Sequence, residues 1–387
     1  MDRRHFLLGA SALSIVLAGR AAIAQQASRR ILVLVELKGG NDGLNTVVPY
    51  ADPLYHQFRP TIGLAREKVL QLDEHVGLSD KLEPLMESWK ARDFAILQGV
   101  GYPSPNRSHF RSIEIWDTAS SSSQTLSEGW VSRAFDGTHL PVGAGVDGIV
   151  VDTNSLPMAG PALRTIVMPD AENFLRQAEA MKDAPNARDV GNPALHHLLD
   201  VRHEVNGAAI GLRDRLRNGP APAYAFNQQD NGFGRQLDLA ARLLMAHVPV
   251  VAIKVALGGF DTHANQVPTQ ERLLSILASG LATFRKNLIA ANLWNDVVVM
   301  TYSEFGRRVK QNASGGTDHG TAAPQFLMGG RVKGGLHGVY PSLADLQDGD
   351  LKQTVDFRNV YSTLARGCWG LQRDFGQRQA QTLDFLA

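Results

Sequence analysis

Residues 31–50 read ILVLVELKGGNDGLNTVVPY, an apolar run interrupted by Glu36 that ends in Lys38 and then Gly39-Gly40-Asn41-Asp42-Gly43. A nearly continuous apolar run, rather than strict alternation, predicts a strand covered on both faces, as in a parallel sheet between helical layers. Ligands of such sheets bind beyond the carboxyl ends of the strands. The glycine-flanked Asp42 is therefore the first candidate site residue. Asp in a Gly-rich turn also bonds its own backbone, and that reading stays open beside the functional one.

Working outward, further strand-like segments run over Phe94 to Gly99, Gly148 to Val151, Thr165 to Met168, Val250 to Leu257, Asp296 to Thr301 and Gln325 to Met328. Helical spacing of Leu273, Ile276, Leu277, Leu281, Phe284 and Leu288 predicts a helix over Thr269 to Asn292. Strands alternating with helices predict an α/β fold: a largely parallel, doubly wound sheet with helices on both faces. Residues from about 170 to 247 are polar, Ala-rich and helical in pattern, with a loop at Gly219-Pro220-Ala221-Pro222. They read as a helical insertion in a single domain spanning 25–387. The polar loop ASSSSQ, 119–124, is too short to separate domains, and no internal repeat is visible.

Composition excludes several function classes. The 387 residues are 44% hydrophobic, 20% charged and formally +1, with no long run of either sign. Nothing here points to nucleic acid, a membrane surface or a polyacidic partner. The single Cys368 forms no intrachain disulfide and reads as a small buried residue. Residues 1–24 combine a basic start, an apolar stretch from Phe6 to Gly19 and small residues suited to cleavage after Ala24. That stretch is too short and interrupted for a stable membrane span. Arg3-Arg4 followed by Phe6-Leu7 matches a twin-arginine signal, which implies the twin-arginine export machinery as a partner and a periplasmic or secreted location. Cleavage removes three Arg and one Asp, taking the formal charge to about −1.

The polar punctuation falls at strand boundaries. Asp261 and His263 follow one strand in GGFDTHANQ, Ser303 and Glu304 follow another in TYSEFGRR, and Asp318-His319 precede the last in GGTDHGTAAP. With Asp42 they offer oxygen and nitrogen donors suited to a divalent metal ion, Zn, Mn, Mg or Ca. Each has a bland alternative: Glu304 as a cap, His319 as a hydrogen-bonded structural residue. In YPSPNRSHFRSIEIWDTA, 102–119, Ser108 is placed to N-cap a helix over His109 to Trp116. A hydroxyl there is also placed to act as a nucleophile, with Arg107, Arg111 and the free N–H groups holding an anionic phosphoryl or sulfuryl group. His109, adjacent to Ser108 on a helix, points elsewhere, and Lys38, Arg307 and Arg308 read as solvated charges or anion contacts.

Together these motifs resemble the alkaline phosphatase superfamily and, within it, the exported, sulfatase-like family called domain of unknown function 1501. The resemblance covers essentially the whole mature chain. It implies an alkaline-phosphatase-like fold, metal binding by Asp42, Asp261, His263, Glu304 and His319, and a Ser108 nucleophile. Phe305 departs from the pattern, because the superfamily has Asp-His-Gly where this chain has Glu304-Phe305-Gly306, and Phe305 cannot replace an imidazole. The spacing from Asp261 to His263 is also shorter than usual.

The leading expectation is a metal-dependent hydrolase of phosphate or sulfate esters, acting on a small anionic substrate. The alternative is a non-catalytic binding or assembly protein that keeps the fold, motivated by Phe305. A third reading takes GGND as a block of the serine esterases named for Ser, Gly, Asn and His. It fails because no upstream Gly-Asp-Ser and no late Asp-x-x-His exist.

Overall fold

The computed structural model describes residues 30–387 apart from 139, 141–144, 171, 175, 177–192, 229, 231 and 377–380. The expected export signal, residues 1–24, lies outside them, as does part of the expected insertion. Among the described residues, nine strands form one sheet: β1 (Ile31–Lys38), β2 (Phe94–Gly101), β3 (Gly148–Val150), β4 (Thr165–Val167), β5 (Ala252–Gly258), β6 (Val297–Tyr302), β7 (Ala323–Met328), β8 (Gly335–His337) and β9 (Val355–Asp356). Their order is β8-β2-β7-β6-β1-β5-β3-β4, with β9 beside β2. The fold is α/β and largely parallel, as expected. β1 pairs in parallel with both β5 and β6, while β7 runs antiparallel between β2 and β6.

The first seven strands lie within two residues of the expected ones; β8 and β9, with three and two residues, are too short to carry a pattern. The antiparallel β7 matters for function. Its start, not its end, lies at the edge where β1, β5 and β6 finish, so a residue preceding β7 joins residues that follow the others.

The principal helices are α1 (His109–Thr118), α2 (Pro193–Asn218), α3 (Phe233–Met245), α4 (Gln266–Ala290) and α5 (Phe357–Trp369). Alternation along β1 divides the core. Val33, Val35 and Leu37 pack with α3 and α4 on one face, and Leu32 and Leu34 pack with α1 and α5 on the other. Each such side chain, fully buried, contributes about 1.5–3 kcal/mol. Helix α4 is long and apolar enough by length and composition to cross a membrane; here Leu273, Leu277, Leu281, Phe284 and Leu288 are buried in the first of these cores. Cys368 is buried in the second, and burial pushes its thiol up to about 12, in keeping with an inert packing residue.

Glu36, the one charge inside the β1 run, is 4% exposed. Lys254 of β5 meets it at 2.5 Å and meets Asp152, just beyond β3, at 2.8 Å. Asp152 also takes Lys38 at 2.8 Å, so Lys38 is paired rather than simply solvated. Asp117, near the end of α1, accepts from Asn154 at 2.7 Å and from the Tyr302 hydroxyl at 3.2 Å. Burial and the nearby Glu36 push its carboxyl up to about 7, against the opposing pull of Lys254 and those hydrogen bonds.

Because the folded state holds this proton more tightly than the unfolded chain, whose Asp titrates near ~4, stability falls as pH rises from about 4 to about 7. Asp117→Asn is expected to remove that decline, so the variant gains on the wild type across this window in urea unfolding. Parallel pH profiles for the two proteins would sink the assignment.

Candidate active site

Helix α1 is held by a residue one turn inside it. Ser112 Oγ donates to the backbone carbonyl of Glu304 and shares a 2.9 Å hydrogen bond with the Tyr102 hydroxyl. Residues three apart share a helix face, so the same docking turns His109 toward the loop after β6. His109 Nδ1 lies 2.9 Å from Glu304 Oε1, which also accepts the Gly39 N–H at 2.8 Å. The sequence reading that sent His109 elsewhere is corrected: it is Ser108 that stays exposed. Its hydroxyl makes no capping bond, and its N–H donates to Asn106 Oδ1.

The loop after β6 and the segment before β7 run side by side. Gly306 N–H donates to Thr321 and Gly320 N–H to Gly306. A side chain on Gly320 would lie 2.4 Å from the Arg307 carbonyl carbon, so glycine is needed for the backbones to touch. This contact delivers His319. Its Nδ1 is 2.8 Å from the Arg107 carbonyl, which can only accept, so Nδ1 carries the proton and Nε2 faces the site. His319 Nε2 lies 2.9 Å from His263 Nε2 and 3.2 Å from Asp261 Oδ1. His263 Nε2 is 3.0 Å from the same Asp261 oxygen, and its Nδ1 is 3.3 Å from Asp318. His109 Nε2 approaches Asp261 Oδ2 at 3.4 Å.

Four residues thus converge: His109, Asp261, His263 and His319. Ligand atoms of His109, Asp261 and His319 all lie within 4.8 Å of one another. Zinc-type bonds of about 2.0–2.1 Å place tetrahedral ligand atoms roughly 3.3 Å apart, close to the separations around Asp261. The histidine partners behave as outer supports do in metal sites: Glu304 and the Arg107 carbonyl each take an Nδ1 proton and leave Nε2 inward. Glu304 Oε2 is buried without a hydrogen-bond partner, a negative atom that nearby positive charge would stabilise. The donor set fits a divalent cation.

Phe305 is 2% exposed and stacks on His319 with centroids 4.3 Å apart, while His109 lies 5.0 Å away. Gly40, at φ +81°, leaves room for it: a Cβ there would come within 2.5 Å of the Phe305 ring. Phe305 offers no donor, as expected; an imidazole reaches the site from α1 instead.

Arg307, read from sequence as a solvated charge or an anion contact, has a wholly buried side chain. Its guanidinium donates to the carbonyls of Gly39, Gly40, Phe260 and Thr317 and to Asp261 Oδ1 at 2.7 Å. Burial pushes the Asp261 carboxyl up, but the hydrogen bond and charge of Arg307 outweigh it and hold it at about 2.

Other expected residues stand apart. Asp42 is fully buried and ion-paired at 2.6 Å with Arg59, itself fully buried; it also accepts from the Leu44 N–H at 3.1 Å and from Gln266. Its carboxylate caps its own turn and anchors α4 through Gln266, which is the backbone-bonding alternative. Arg111 is spent on the carbonyls of Ser121, Ser122 and Gln124 and on Glu114. Arg107 pairs with the buried Asp350. The site positions that sequence reasoning did not place are His109 and Arg307; the only signal for Arg307 was its position in the loop that follows β6.

The profile of the family described as "Protein of unknown function (DUF1501)" matches residues 67–368. No curated protein matches the chain. Among solved structures, it is similar to the lipoteichoic acid synthase LtaP from Listeria monocytogenes, with 10% identity, TM-score 0.40, and 91% of this chain and 76% of that one covered. It is similar to the C-terminal periplasmic domain of EcEptC from Escherichia coli, with 12% identity, TM-score 0.40 and coverage of 92% and 86%. Similarity to the PsFucS1 sulfatase from Pseudoalteromonas sp. is 9% in identity and 0.36 in TM-score, over 91% and 70% of the two chains. Likeness at these scores carries no argument about reaction or substrate.

Breaking the buried Asp42–Arg59 pair leaves one charge uncompensated in the interior. Arg59→Met is expected to cost about 3–5 kcal/mol of unfolding free energy, and Asp42→Ala a similar amount. The double variant should lose less than the sum of the two. Denaturant titration showing under ~1 kcal/mol for Arg59→Met would contradict this.

Proposed function

We propose that this chain, which belongs to the DUF1501 family, is an exported metal-dependent hydrolase of phosphate or sulfate esters, built as one alkaline-phosphatase-like α/β domain over residues 25–387. The observation that carries this reading is the convergence of His109, Asp261 and His319 with both histidine Nδ1 protons tied back and both Nε2 atoms inward. His263 is the fourth donor. A bound divalent ion would lower the pKa of a serine hydroxyl or water and neutralise charge developing on the transferred group.

Ser108 is the nucleophile in this reading. It is exposed, uncommitted as a cap, and adjoins His109 in sequence. Its Oγ forms a bond to phosphorus or sulfur as the ester oxygen departs, taking a proton to leave as an alcohol. Water then cleaves the serine ester, releasing phosphate or sulfate and restoring the hydroxyl. First-turn N–H groups of α1 bind the anion's outer oxygens. Glu304 holds His109 in orientation, and Phe305 fixes the plane of His319. Arg107 takes part through its backbone carbonyl on His319 Nδ1, and Arg111 is committed to the carbonyls of Ser121, Ser122 and Gln124 rather than to an anion. Asp42 serves as the buried anchor of the β1 turn. The alternative, a binding protein without turnover, draws support from that commitment of Asp42 and from Phe305.

Ser108→Ala in the metal-loaded protein is expected to lower turnover of aryl phosphate or sulfate esters more than about a thousandfold while leaving metal content intact. His109→Ala and His319→Ala should lose the metal by elemental analysis. Equal turnover in wild type and Ser108→Ala rejects the nucleophile; no turnover on either ester class, with metal bound, favours the binding protein.

Export is the second part of the proposal and rests on Arg3-Arg4 and the small residues before position 25. N-terminal sequencing of periplasmic material is expected to begin at Gln25. Retention in the cytoplasm when Arg3 and Arg4 are intact would refute it.

A further inference from the structure

We infer that this site takes a single divalent cation, on His109, Asp261, His263 and His319, and that Arg307 stands as the built-in second cation. The inference deepens the metal-dependent reading above and rests on it. Two-metal hydrolase centres hold their ions about 3.5–4 Å apart, bridged by shared ligands. Asp261 is the carboxylate that all three imidazoles surround, and its Oδ1 already carries Arg307 at 2.7 Å. The guanidinium side chain is fully buried, remains charged, and is fastened by four backbone carbonyls. It cannot swing away to admit a second ion.

The other strand-end carboxylate is closed in the same manner. Both Asp42 oxygens are engaged, by Leu44, Arg59 and Gln266, and Arg59 donates in turn to Asn45 and to the carbonyls of Arg308 and Val309. Asp42 and Asp261 therefore each have a guanidinium in contact.

Charge leads to the same count. Asp261, Glu304 and Asp318 are the carboxylates in contact with the imidazoles, and Arg307 is the guanidinium among them. Three negative groups against one positive leave −2. One divalent ion neutralises the cluster, and a second would carry it to +2. Glu304 Oε2, buried and without a partner, is the buried carboxylate oxygen beside the imidazoles that a second ion could claim. Its position behind His109 makes Glu304 instead the outer support that orients a ligand, a role whose removal weakens metal affinity about 10–100-fold without changing the number of ions.

Isothermal titration of the full metal-stripped chain with Zn²⁺ and with Mn²⁺, checked by elemental analysis after dialysis, tests this directly. The expected result is one ion per chain in the wild type, one in Asp42→Asn, none in His109→Ala or His319→Ala. Glu304→Gln should bind one ion with affinity lowered about 10–100-fold. Two ions in the wild type, or one ion retained by His109→Ala, overturns the inference while leaving metal dependence standing. No ion in a folded wild type overturns both. The wild-type stoichiometry decides the matter even where a variant fails to fold.

Discussion

Parallel strands that end together create an electrostatic difficulty, because the loops leaving them turn carbonyl oxygens toward a common centre. Arg307 resolves it. Its guanidinium accepts no bond and donates to carbonyls from the loop after β1, the loop after β5 and the segment before β7, and to Asp261. One planar cation therefore ties together the loops that carry every proposed ligand but His109. A fully buried charge is tolerable only with this degree of satisfaction, so the loops and the arginine specify one another.

Around that cation the histidines are arranged by what holds their outer nitrogens. A carbonyl can only accept, which assigns the proton on His319 Nδ1, and a carboxylate favours the proton on His109 Nδ1. Two lone pairs are thereby aimed at Asp261. The aromatic at 305 is compatible with this chemistry because the missing imidazole comes from a different element. Helix α1, docked by Ser112 on the Glu304 carbonyl, supplies it from the opposite side of the loop.

The acidic residues divide by burial. Asp42 and Asp261 both follow strands of the same sheet edge, yet Asp42 is fully buried while the Asp261 side chain is 46% exposed. Complete burial requires complete pairing, and Asp42 is accordingly surrounded by donors. Partial exposure leaves Asp261 with a face open to ligand and solvent. The turn after β1 thus forms a buried, fully paired floor, and the candidate metal ligands lie one loop away from the residue that first drew attention.

Much of the fold was legible in the sequence because burial on both faces imposes continuous apolar runs, and β1 to β7 each carry one. Helix α4 and the Ser108 boundary of α1 were legible through periodicity and cap preference, which are local. The presence of Asp261, His263, Glu304 and His319 at strand boundaries was likewise readable, since motif and strand end are neighbours along the chain. What sequence could not decide was pairing. Whether Asp42 faces a metal or Arg59, whether Arg307 faces water or four carbonyls, and whether His109 or Ser108 turns inward depend on residues up to 268 positions away. Those choices are made by desolvation and by the antiparallel insertion of β7, which brings His319 to the edge where the other strands end. Local sequence determined the elements and the residue types available at their ends; only tertiary packing decided which charge each of them would meet.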